Sequence, residues 1–359
     1  MSLPRLSLCT AALLLALSPL NAQSVTTAPV GAVNVEAGAE SDTIFALTLV
    51  RPAAFTGSVG AKSGSTLTLA GAAFTASQFV YSAGVQSNTY YVQVLTGAAA
   101  GQFATVTANG TNSVTTEFES DILNSISVGD SVIIRPYWTL GTVFPSSTAG
   151  SSFVASTNNL AGGRRTEVLI PNVAGTGLNR VPAAVYFYNG FWRQTTAVGT
   201  NQNDTILLPD SFIIVRGNNY GTPTNLTLVG DVNTHAHTVP LLATATDRND
   251  NLVGIPFPSD ISLEDLNLVG NGGFVASTNN LAGGRGDELL VYDIAATGKN
   301  RVPSAVYFYN GFWRQTTAVG TNQNSTVIPA GSAIVIRKKA QPSPQVTDWK
   351  IDFASILAL

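Results

Sequence analysis

A stretch that occurs twice, at 185–203 and 306–324 (VYFYNGFWRQTTAVGTNQN), brings tyrosines, a tryptophan and an arginine together at strand spacing. Aromatic rings stack on sugar rings and arginines bond their hydroxyls, so Tyr186, Tyr188 and Arg193, with Tyr307, Tyr309 and Arg314, form a candidate carbohydrate platform. The same residue types in strands are also the usual material of a core. Asn189-Gly190 and Asn310-Gly311 read as two-residue hairpin turns. That turn would set Tyr188 opposite Phe191, Phe187 opposite Trp192 and Tyr186 opposite Arg193. Phe187 and Trp192 then share a buried face, and Tyr186, Tyr188, Phe191 and Arg193 share the other.

The chain has 2 histidines, His235 and His237, placed so that both fall on one side of a strand. With Asp231 they could hold zinc, which needs three or four converging ligands; the competing reading is an exposed connecting segment. No Ser-His-acid set, glycosidase carboxylate pair or phosphate loop stands out. Gly162-Gly163-Arg164 and Gly283-Gly284-Arg285 lack the Lys-Ser/Thr that a phosphate loop needs, and Glu167 and Glu288 read as solvated acids. The expectation is a protein without catalytic function.

The elements that must carry these residues are extended. Arg5, the apolar run at 11–17 and Asn21-Ala22 have the layout of a secretory signal, with cleavage after Ala22. The run is too short to span a bilayer, so a secreted, periplasmic or cell-surface location without a transmembrane segment is expected. The single cysteine, Cys9, lies inside the signal, which leaves the remaining chain without disulfides. Charged residues make up 11% and the net charge is −3, which offers no basic footprint for nucleic acid. Thr, Ser, Asn and Gly take the place of charge and favour strands joined by tight turns.

Residues 153–216 recur at 274–337 with a constant offset of 121 and 45 identities in 64 positions. The fold expected is all-β, tandem β-sandwich or small-barrel modules with an internal duplication. The modules are placed at 23–136 (divergent), 137–250 and 251–345, after a signal at 1–22 and before a C-terminal tail at 346–359. Residues 259–268 (SDISLEDLNL) are the best helix candidate, capped by Ser262. The loops 156–164 and 195–203 match their second copies. Surface loops usually drift first, so either the duplication is recent or both copies make the same contact.

Tyr90-Tyr91-Val92-Gln93-Val94-Leu95-Thr96-Gly97, the stretches 105–109 and 128–145, and Asp250-Asn251-Leu252-Val253 resemble a family of uncharacterised exported proteins best known from Verrucomicrobia. Asn251, Leu252, Gly254, Pro256 and Pro258 also resemble the opening strand of β modules in bacterial surface proteins. These resemblances imply an exported β-module protein and bring no activity. The run 247–251 (DRNDN) resembles the calcium-binding linker of cadherins, which implies Asp247, Asn249 and Asp250 as oxygen ligands for calcium. The alternative at that point is a solvated turn before a buried strand. No other cofactor is expected. The leading expectation is a structural or surface-interaction protein with cell-surface or matrix partners; a glycan-binding module is the alternative and an exported hydrolase the third.

Overall fold

The computed structural model describes residues 29–146 and 152–353; the signal expected at 1–22 lies outside them. The chain is all-β, and its apolar residues gather into three principal cores.

One core fills a closed six-stranded barrel. Its strands are Phe55–Ser63, Thr66–Leu69, Tyr90–Val94, Phe103–Asn109, Ser113–Thr116 and Ser131–Pro136. Around the barrel, Phe55–Ser63 is followed by Thr66–Leu69, Ser113–Thr116, Phe103–Asn109, Tyr90–Val94 and Ser131–Pro136, which pairs back onto Phe55–Ser63. Alternation explains the closure. Leu67, Leu69, Val92, Val94, Val114, Val132 and Ile134 point inward at every second position, and closure leaves no unpaired edge.

The other two cores belong to the repeat. In the first unit the sheet order is Trp192–Gln194, Ala184–Tyr188, Thr166–Ile170, Phe212–Gly217, Asp42–Ala46. A ribbon of Val30–Ala37 and Thr224–Asp231 covers this core. In the second unit the order is Trp313–Gln315, Ala305–Tyr309, Glu288–Val291, Ala333–Lys338, Asn249–Gly254, and the ribbon pairs His237–Ala243 with Gln345–Ile351.

The two units share one plan over more of the chain than the sequence repeat covers. Asp42 faces Arg216 as Asp250 faces Arg337, and Trp138 faces Leu207 as Ile261 faces Ile328. The first equivalence is offset by 208 positions and the second by 123, so the first unit carries 85 additional residues. Those residues are the barrel, inserted where the second unit turns directly from Phe257 to Ile261. Arg51 and Arg135 bind its entry to its exit: Arg51 Nη1 donates to Tyr137 O at 3.2 Å and Arg135 Nη1 to Arg51 O at 2.7 Å.

Three expectations are corrected. The residues before the barrel do not form one module with it, because Val30–Ala37 and Asp42–Ala46 pair with Thr224–Asp231 and Phe212–Gly217. Residues 345–351 are a strand rather than a tail: Trp349 is fully buried and its Nε1 donates to Leu266 O at 3.0 Å. The segment 259–268 forms a short bridge, Ile261–Ser262, followed by turns. Ser262 still caps there, accepting from Asp265 N at 3.1 Å, while Leu263, Leu266 and Leu268 are drawn into the core at a spacing that a helix does not continue.

The units meet in a reciprocal, two-fold-like contact. Asp42 N donates to Gly298 O and Asp250 N to Gly177 O, while Ala46 N donates to Gly331 O and Gly254 N to Asp210 O. Gly254 has to be glycine: a Cβ there would lie 2.3 Å from Ser211 O. Ile44, Ala46, Phe212 and Ala333 fill the space between the sheets.

Candidate functional site

The aromatic hairpins turn inward. The loop holds three residues, so Tyr188 pairs with Trp192, Phe187 with Arg193 and Tyr186 with Gln194; Tyr309 pairs with Trp313 and Phe308 with Arg314 in the second unit. The expected two-residue register is therefore off by one, and every side chain on the returning strand changes face. Trp192 and Phe187 are both buried, as expected, but on opposite faces. Trp192 packs among Phe144, Phe153 and Tyr188, with ring centroids at 5.3, 5.2 and 5.8 Å. Phe187 lies under the Arg164 guanidinium, 4.9 Å from its ring centroid.

The six platform residues do not converge. Tyr186 and Tyr307 are buried in their cores, and Tyr188 and Tyr309 pack against the same cores. Arg193 and Arg314 lie on the other face and are already engaged. Arg193 stacks on Phe191 at 3.6 Å and donates to Asn189 O and Val198 O. Arg314 stacks on Phe312 at 3.5 Å and donates to Asn310 O and Val319 O. These arginines hold the hairpin tip to the following loop. Of the six, Tyr309 does line a hollow, one of about 260 Å³ that it shares with Trp313, Glu264 and Asn324.

The residues proposed for calcium are likewise separated. Asp247 is at the surface, accepting from the Thr246 hydroxyl. Asn249 accepts from Gly177 N and Arg180 Nη1. Asp250 receives Arg337 through both Nε (2.7 Å) and Nη2 (3.1 Å), together with Asn179 N at 2.8 Å. Charge-assisted bonds of this kind take the lone pairs a cation would use. Asp231 is bound to Arg135 at 2.9 Å, His237 is stacked between Phe103 and Phe353, and among the described residues no three His, Cys, Asp or Glu side chains are grouped to hold a metal.

What the sequence reading missed lies between the barrel and the second unit. A cleft of about 590 Å³ is lined by Phe103, Phe118, Leu242 and Val346 with Glu117, Glu119, Asp121 and Asp348, and no lining residue is Lys or Arg. It shares Gln102, Phe103, Pro240 and Asn251 with a second hollow of about 260 Å³ that reaches Asp210. Burial pushes the Asp210 carboxyl up to about 6. Asp348, raised by burial and by the neighbouring Asp121, accepts from Gln102 Nε2 at 2.7 Å. Its lining comes from strands far apart in sequence, so no local pattern announced it.

The loops flagged as unusually alike have the same conformation in both units. Each folds through a 3₁₀ turn, Ala161–Gly163 or Ala282–Gly284, and each is tied to its own hairpin tip by Asn189 Nδ2→Asn159 Oδ1 or Asn310 Nδ2→Asn280 Oδ1, both at 2.8 Å. Leu160 and Leu281 project from these loops, each 75% exposed. Among the described residues no helix is long and apolar enough to cross a membrane.

Comparison of the chain with family models, with characterised proteins and with solved structures finds no match.

Proposed function

We propose that this is an exported, non-catalytic interaction protein in which the paired repeat units present the same contact twice. The observation that carries the reading is the loop pair around Leu160 and Leu281. A large apolar side chain held out by a braced loop contributes nothing to its own core, and finding it twice with the same bracing supports a shared contact, with recent duplication as the other source of the identity. Cell-surface or matrix components are the partners this reading names, and the resemblance to exported β-module proteins agrees with it.

The test is retention of purified protein, lacking residues 1–22, on intact cells of its source. The chain is expected to bind, and Leu160→Asp with Leu281→Asp together to abolish binding while the circular dichroism spectrum is unchanged. Equal binding by the double variant, or recovery of the uncleaved protein mainly from cytoplasm, would remove the reading. The acidic cleft favours a second one. Carboxyls raised by burial, as Asp210 and Asp348 are, supply the general acid that glycoside and ester hydrolysis uses, and Gln102, Asn251 and Phe103 could hold a glycan there. A screen of glycosides and esters in which Asp210→Asn and Asp348→Asn match the native chain would dispose of it.

A further inference from the structure

Lys338 ends the strand Ala333–Lys338, and Asp287 immediately precedes the strand Glu288–Val291. The two side chains are 2% and 0% exposed, and Lys338 Nζ lies 2.6 Å from Asp287 Oδ2. Nζ also donates to Gly273 O at 2.7 Å, and Gly273 itself packs against Trp349 and Leu241. Asp287 Oδ2 accepts from Val275 N at 2.8 Å and Oδ1 from Lys339 N at 2.7 Å. An amine and a carboxyl are thus held in contact in a dry site, with a backbone donor on each carboxyl oxygen.

The fold does not need this pair. At the equivalent positions the first unit has Thr166 and Gly217, and the Thr166 hydroxyl alone accepts from Val154 N at 2.9 Å, as Asp287 does from Val275 N. A hydroxyl therefore suffices for that donor, and the N–H of Asn218, equivalent to that of Lys339, goes to Arg165 O instead. A buried ion pair adds little stability over an apolar filling, because desolvation offsets the attraction. The chain's single cysteine is Cys9, so no disulfide clamps the second unit.

We propose that Asp287 and Lys338 condense into an intramolecular amide that ties the last strand of the second sheet to its neighbour. A proton passes from the ammonium to the carboxylate, which exchanges two buried charges for a neutral amine and acid. The Nζ lone pair attacks Cγ, and the carbonyl electrons move onto Oδ1, where the Lys339 N–H stabilises the oxyanion. Nζ then gives a proton to the Oδ2 hydroxyl, which leaves as water as the carbonyl re-forms. Carboxylate plus ammonium become amide plus one water, with no oxidant, reductant or co-reactant. Fixed proximity supplies the rate.

The experiment is the mass of the denatured, purified chain, expected to be lighter than its sequence by one water. Trypsin cuts after Arg337 and Lys339 but not after an acylated Lys338. The digest should therefore contain peptide 286–299 carrying the dipeptide Lys338-Lys339 as a branch. Lys338→Met should have the full sequence mass. A native chain at full mass overturns the proposal, as does a loss of water that persists in Lys338→Met. The branched peptide decides the matter from the native chain even where the variant fails to fold.

Discussion

At the junction of the barrel with the second unit, His237 is fully buried between Phe103 and Phe353, with ring centroids 5.3 and 6.4 Å away. Its Nε2 has no hydrogen-bond partner among the described residues. Burial in apolar surroundings holds its imidazole down at about 4. The unfolded chain therefore takes up the proton first, and stability falls as pH drops from about 6.5 toward 4. Asp210 acts in the opposite sense over nearly the same range, since its raised carboxyl favours the folded state on the acid side. The check is therefore a difference. His237→Phe should remove an acid-side loss of about 3 kcal/mol, seen as a urea midpoint that rises relative to that of the native chain as pH falls from 7 to 4.5. Parallel profiles for the two proteins would show that the ring finds a partner on protonation. The sequence placed both histidines on a strand, but only the tertiary fold decides that Phe103 and Phe353 enclose one of them.

Among the elements, the contact between the sheets depends on two buried acids doing the same work. Asp42 takes Arg216 and Asn300 N as Asp250 takes Arg337 and Asn179 N. Removing one partner of a buried pair typically costs about 3 to 5 kcal/mol, whereas surface changes stay within about 0.5 kcal/mol. Asp250→Ala is accordingly expected to lower stability by the larger amount and Asp247→Ala, three positions away, by the smaller, both read from urea unfolding. Similar costs for the two would mean that the reciprocal contact does not hold the units together. The strands were legible in the sequence because alternation and β-branched residues mark them locally. The hairpin faces were not, because adding Phe191 to the loop reverses a period of two. Nor was the interface, since Asp42 meets a loop more than two hundred positions downstream and no local signal records a partner so distant.

For the whole molecule, the repeat was visible as identity and the barrel as dense alternation, yet their nesting was hidden. The first unit is split by an insertion, and its opening strands resemble nothing in the second unit closely enough to align by eye. The second unit crosses the same gap with a few residues, so the barrel is separable from the plan of the sheets. A chain in which residues 52–136 are replaced by a short glycine-serine turn is expected to unfold cooperatively and keep Trp192 and Trp313 buried, read from their fluorescence. An excised chain that stays unfolded would show that the barrel is a structural requirement instead of a guest.

The nesting also sets an order of events. Val30 pairs with Asp231, so during synthesis the first two strands wait for partners made far later. The barrel's most distant pairing, Phe55 with Ile134, spans 79 positions against 201 for Val30 with Asp231, and contacts of smaller separation form sooner. Once closed, it brings Arg51 and Tyr137 to hydrogen-bond distance and takes roughly half of the intervening chain out of the search. Halving a loop saves only about 0.6 kcal/mol of closure entropy. Its benefit is thus a matter of time more than of equilibrium: the inserted barrel acts as a timer that shortens the interval during which two edge strands stand open to the wrong neighbour.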